Sequence, residues 1–180
     1  MYIETERTPN PATMKFLPDQ TVLESGSHYF GGMEEAAASP LAQEIFAIEG
    51  VSAVLLGVGF ISVTLEAGDW QDKKTEVLSA IMAHYMTGNA VIEEGAAAAS
   101  TEGDPESVKM IKAILEEKVR PAIAQDGGDV IFEGFEEGIV YVQLQGACDG
   151  CPSASMTLKN GIESLLKYYV PEVSEVRQVR

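Results

Sequence analysis

Gly95-Ala96-Ala97-Ala98-Ala99-Ser100-Thr101-Glu102-Gly103 carries no large apolar side chain. Such a stretch buries little surface, so it reads as a linker between two domains; a short Ala-rich helical turn is the competing reading. The linker reading divides the 180 residues into a domain at 1–92, a connection at 93–103 and a domain at 104–180. The expected fold class is α+β: two small two-layer domains joined by a flexible Ala/Gly-rich linker. No internal repeat relates the halves.

Local signals place the elements. In the first domain, Thr13 to Leu17 alternates as a short strand, and Pro18-Asp19-Gln20 turns the chain. Ser39-Pro40 reads as an N-cap followed by proline at the first helical position. Leu41, Ile45 and Ile48, with Phe46, supply the apolar stripe, and Gly50 ends that helix. Val51 to Leu56 and Phe60 to Leu65 form a hairpin about Gly57-Val58-Gly59. Asp69 caps a second helix with Val77, Leu78, Ile81, Met82 and Tyr85 at helical spacing, closed by Gly88. Trp70 is expected as a core anchor.

The second domain opens with Asp104-Pro105, again read as cap and first-turn proline. Val108, Ile111, Leu115 and Val119 share a helix face, and Pro121 is expected to kink or end the helix. Gln125-Asp126-Gly127-Gly128-Asp129 reads as a turn. Val130 to Phe135 and Gly138 to Leu144 form a hairpin. A helix from Thr157 to Tyr169 packs Leu158, Ile162, Leu165, Leu166 and Tyr169 on the sheet. Pro171 stops it, and Val173 to Val179 is a last strand.

Charge and hydropathy exclude several functions. The formal net charge is −16. A chain that acidic repels phosphate, so neither nucleic acid nor an anionic membrane surface is an expected partner. No apolar run approaches the roughly 20 residues that cross a bilayer. Met1-Tyr2-Ile3-Glu4-Thr5-Glu6-Arg7 has neither a secretory nor an organellar targeting pattern. The expected place is the cytoplasm of a bacterium, or the mitochondrial matrix if the sequence is a processed form.

Chemistry concentrates in Gly146-Ala147-Cys148-Asp149-Gly150-Cys151-Pro152, which holds both cysteines of the chain. Pro152 suits the first helical position, with Cys151 at or near the N-cap. Unpaired N–H groups and the helix dipole then face both sulfurs, which is expected to lower thiol pKa. Gly146 and Gly150 let backbone N–H groups approach sulfur.

Four readings follow. The thiols are structural, or they form a dithiol oxidoreductase pair with Cys148 as nucleophile. They hold zinc, which requires four ligands and therefore a second subunit or the distant His28 and His84. Or they hold an iron–sulfur cluster, which four thiolates usually ligate, so that two chains supply the set and a homodimer shares one cluster. Asp126 and Asp129 flank Gly127-Gly128 and read as turn and cap residues before a cation site. His84 reads as a partly exposed helical residue. The pairs Glu34-Glu35, Glu93-Glu94, Glu116-Glu117 and Glu136-Glu137 read as solvated faces. No GxGxxG, P-loop, GxSxG or HExxH motif occurs, so nucleotide-dependent and common hydrolytic chemistry lack support.

Three blocks resemble the C-terminal domain of NifU-like (Nfu) proteins. They are Gln125-Asp126-Gly127-Gly128-Asp129-Val130, Leu144 to Pro152, and Thr157-Leu158-Lys159-Asn160-Gly161-Ile162-Glu163. Thr8-Pro9-Asn10-Pro11, Lys15-Phe16-Leu17, Ser39-Pro40-Leu41-Ala42, Phe46 to Val51 and Asp69-Trp70 are similar to the N-terminal domain of the same proteins. The resemblance implies a scaffold or carrier that holds a [4Fe–4S] cluster between two subunits through Cys148 and Cys151. It also implies transfer to apo iron–sulfur client proteins, with assembly factors as further partners. The first domain is then the one for partner or client contacts. Ligand count alone also allows a [2Fe–2S] form.

Overall fold

The computed structural model describes residues 1–67, 69–93, 104–148 and 152–179, the last stretch with side chains from residue 156 onward. The chain forms two compact units, Met1–Ala98 and Ala99–Arg180. Of the expected linker, residues 94–103 lie outside the described residues. Glu93, at its start, donates its backbone N–H to the Ala38 carbonyl at 2.8 Å.

The first unit holds β1 (Ile3–Arg7), β2 (Thr13–Pro18), β3 (His28–Phe30), a 3-10 turn (Glu35–Ala38), α1 (Pro40–Phe46), β4 (Val51–Leu56), β5 (Ile61–Leu65) and α2 (Trp70–Thr87). Its sheet runs β1-β2-β5-β4-β3, with every pair antiparallel. Alternation sends Phe16, Val54, Leu56, Ile61 and Val63 to one face, where they meet Leu41 and Ile45 of α1 and Val77 and Ile81 of α2. Each such burial is worth about 1.5–3 kcal/mol relative to exposure. Trp70 packs against this core, its Nε1–H donating to the Ala12 carbonyl at 3.1 Å.

The caps follow the sequence. Ser39 Oγ accepts the Ala42 N–H at 3.1 Å and donates to the Val91 carbonyl at 2.5 Å. Asp69 accepts the Gln71 N–H, and Gly88 closes α2 in the left-handed region. The sequence reading omits β1 and β3. β1 is an edge strand with Glu4, Glu6 and Arg7 exposed, so it lacks the apolar alternation that marks a strand. β3 is three residues long and offers no period to read.

His84 corrects the expectation. It is fully buried, with Val77 and Ile81, whereas Met82 is 41% exposed and Met86 84%. The apolar spacing allowed two stripes one residue apart, and the helix buries the one that carries the imidazole. Its Nδ1 lies 3.4 Å from Glu44 Oε1 on α1.

The second unit holds α3 (Glu106–Ile114), a π turn (Leu115–Val119), α4 (Arg120–Gln125), β6 (Gly128–Glu136), β7 (Ile139–Gly146), α5 (Pro152–Tyr169) and β8 (Glu175–Gln178). β6 and β7 are antiparallel, and α5 crosses over to set β8 parallel to β7. Ile111, Ile123, Val140, Val142, Leu144, Ile162, Leu166 and Val176 form the core. Glu163 fastens the crossover. Its Oε2 accepts the Val176 N–H at 3.1 Å, and its Oε1 accepts from Lys167 Nζ at 2.7 Å.

Two local expectations fail in this unit, and a third holds in part. Asp104 does not cap α3: Pro105 occupies the N-cap, and Asp104 Oδ2 instead accepts from Lys112 Nζ at 2.5 Å. Of the end or kink expected at Pro121, the end does not occur, and the irregularity lies just before it as the π turn. A proline ring clashes with the carbonyl four residues back, and the widened turn just before it carries the Arg120 N–H to the Leu115 carbonyl, five residues back. Tyr169 is 42% exposed, and Val170 takes the buried position.

Two outcomes are expected. Ser39→Ala removes an acceptor and a donor together and should cost the first unit about 1–2 kcal/mol in urea denaturation. The Glu163 carboxyl is held below its ordinary value, first by Lys167 and then by the Val176 N–H. A lowered folded pKa contributes stability above the ordinary carboxylate range and loses it as pH falls through the folded value. Glu163→Gln should therefore lower the melting temperature of the second unit at pH 7, and the difference should shrink below about pH 4.

Candidate cluster site at the end of strand β7

β7 ends at Gly146, where φ is 66°, and the chain turns through Ala147 and Cys148. The turn is pinned to the neighbouring strand, because the Ala147 N–H donates to the Gly127 carbonyl at 3.2 Å. Gly146 pairs with Gly128 in the β6–β7 register. Cys148 is thereby brought back over the first residue of β6 and is 7% exposed. A β-carbon at Gly128 would overlap the Cys148 sulfur and would stand 3.0 Å from the Gln145 carbonyl oxygen. Gly128 does not have a positive φ. The room a β-carbon would need is taken by the Cys148 side chain and the Gln145 carbonyl.

Beside this seat lies an ion pair. Asp129 is 3% exposed. Arg120 Nε donates to its Oδ1 and Nη2 to its Oδ2, each at 2.8 Å. The third guanidinium nitrogen, Nη1, donates to Glu116 Oε2 at 2.5 Å. Burial works against the Arg120 charge, but its hydrogen bonds to Asp129 outweigh that, and the guanidinium pKa is raised. Asp126 is exposed on the turn. Asp129 is thus neither a turn residue nor a cap, as the sequence reading had it.

The thiol departs from expectation as well. Burial, with the charges of Asp126 and Asp129 behind it, pushes Cys148 up to about 12. The lowering expected from the sequence is thus not found: desolvation of the buried sulfur sets the direction. Such a sulfur is a protonated thiol at neutral pH and becomes a ligand when a metal ion supplies the compensating charge.

Cys151 and Gly150 lie outside the described residues, as does Asp149. Pro152 opens α5, as expected. His28 is half-buried on β3 and His84 is enclosed on α2, both in the first unit. Among the described residues, no three His, Cys, Asp or Glu side chains gather as a metal-ligand set. Nor is any helix among them long and apolar enough to cross a membrane.

A family profile described as "NifU-like domain" matches residues 111–177, and one described as "Scaffold protein Nfu/NifU N terminal" matches residues 3–88. A human protein named "NFU1 iron-sulfur cluster scaffold homolog, mitochondrial" is 45% identical over 183 residues, covering 99% of this chain and 72% of its own length. The chain belongs to the Nfu/NifU family. Proteins of the same name from Drosophila ananassae and Drosophila virilis are 44% and 45% identical over 184 residues. This Nfu/NifU chain spans 64% and 62% of those two fly relatives, less than two thirds of their length.

The sequence reading had no place for Arg120. Its signal was faint, a basic residue nine positions before an aspartate across a helix end. Asp129→Ala takes from Arg120 its buried carboxylate and leaves it the exposed Glu116, so it should cost about 1–3 kcal/mol. Asp126→Ala, on the exposed turn, should stay within about 0.5 kcal/mol. Chemical denaturation of the two variants checks the contrast.

Proposed function

We propose that this chain is an iron–sulfur cluster scaffold and carrier, with Cys148 and Cys151 of each of two copies ligating one shared [4Fe–4S] cluster. The observation that supports it best is the seat of Cys148. The sulfur stands at a strand end, ahead of α5, in a chain with two cysteines that belongs to the Nfu/NifU family. Clusters are usually held by four thiolates, and one chain supplies half of them.

Delivery proceeds by ligand exchange. A client thiol gives up its proton and its sulfur binds iron, and the iron–sulfur bond to Cys148 or Cys151 breaks. The departing thiolate takes a proton, and no electron changes hands. Four such steps move the cluster to an apo-protein. The first unit serves contacts with clients and assembly factors. The mitochondrial names of the relatives support a matrix placement; matrix and bacterial cytoplasm alike are reducing enough to keep thiols available.

The dithiol oxidoreductase reading fits less well. A nucleophilic cysteine of that kind is partly exposed with a lowered pKa, and Cys148 is buried with a raised one.

Anaerobic reconstitution with iron and sulfide, size exclusion, metal analysis and Mössbauer spectroscopy test the proposal. About four irons and four sulfides per dimer, with a [4Fe–4S] signal, are expected. Cys148→Ala should retain less than about a tenth of that iron. A colourless monomer that never holds iron would overturn the scaffold reading, and a fully loaded Cys148→Ala protein would overturn the ligand assignment.

A further inference from the structure

Cys148 and Gly128 are 20 positions apart in sequence and meet through strand register. The missing β-carbon of Gly128 leaves a slot on β6, and the sulfur fills it. The Gln145 carbonyl oxygen borders the slot, and the turn that carries the sulfur is tied to the Gly127 carbonyl by the Ala147 N–H. A sulfur in that seat faces the backbone of its own sheet. A sulfur that shares a metal with a second copy of the chain must face away from it. The two orientations differ by rotation about the Cα–Cβ bond of one side chain.

We propose that Gly128 is a positioning residue that shelters the Cys148 sulfur in the empty protein, so that loading requires the sulfur to leave the slot on β6. The slot has two consequences. It keeps alkylating and oxidising agents from a thiol that stands near the protein surface, since access governs cysteine reactivity together with ionisation. It also makes the sulfur's release from β6 a step that precedes ligation. The second consequence rests on the ligand assignment proposed above; the sheltering is a property of the empty protein alone.

The test uses the full chain without metal, carrying Cys151→Ser so that Cys148 is its one thiol. Iodoacetamide is added across a series of pH values and the alkylated fraction is followed by mass spectrometry, so that rates are compared per ionised thiol and access is separated from ionisation. The folded protein should react at least about 100-fold more slowly than the same protein unfolded in urea. Adding Gly128→Ala fills the slot and should raise the folded rate by about 10-fold or more, with a cooperative thermal melt retained. Folded and unfolded rates within about threefold of each other would overturn the proposal, and so would a folded Gly128→Ala protein that reacts no faster than its parent. If Gly128→Ala does not fold, the folded-against-unfolded comparison in the Gly128 protein decides alone. A Cys148→Ala protein that still held a cluster would sink the ligand assignment and leave this result standing.

Discussion

The second unit depends on a close approach between two backbone segments at the start of β6. Gly128 lies against the sulfur of Cys148, and the next residue, Asp129, is held by Arg120 through Nε and Nη2. One contact fixes the turn after β7; the other fixes the end of the helical segment before β6. Arg120 reaches Asp129 because the helix continues past Pro121 instead of stopping there. The widened turn at Leu115–Val119 allows that continuation. A helix irregularity, an ion pair and a missing methyl group thus act on the same few residues. Buried ion pairs often do little for net stability. This one is better understood as setting where a strand begins.

Much of the fold was legible because its signals were local. Ser39-Pro40 and Asp69 with Gly88 announce helix ends through side chains and turn conformations that act within a few residues. The strands of both hairpins showed themselves by alternation. His84 was misjudged because two helical stripes one residue apart were both apolar enough, and only packing chose between them. β1 was missed because an edge strand has one side free for charge. Asp104 was misread because a caplike sequence competes with a lysine eight residues on.

The cysteine motif was legible as a motif, and its environment was not. A CxxC before a proline promises a helix N-terminus, and that implied a lowered pKa. The register of β6 with β7 decides otherwise by laying Cys148 over Gly128 and beside Asp129, and a one-residue slip would move every side chain of the strand to the other face. Gly127-Gly128 looked like turn material. One of the two glycines serves the turn, and the other makes room for sulfur. Their roles are separated by contacts across the hairpin, which no single stretch of sequence contains.

The edge strands carry a consequence of their own. β1 presents Glu4, Glu6 and Arg7, β8 presents Glu175 and Arg177, and β6 presents Glu133 and Glu136. Exposed edges invite other chains to add strands, and charge on the edge discourages it. The fourth edge, β3, carries no carboxylate but is three residues long and offers little ladder to extend. Strand addition is thus a poor way for two copies of this chain to meet, and a meeting through any other surface begins against the mutual repulsion of two chains of net charge −16.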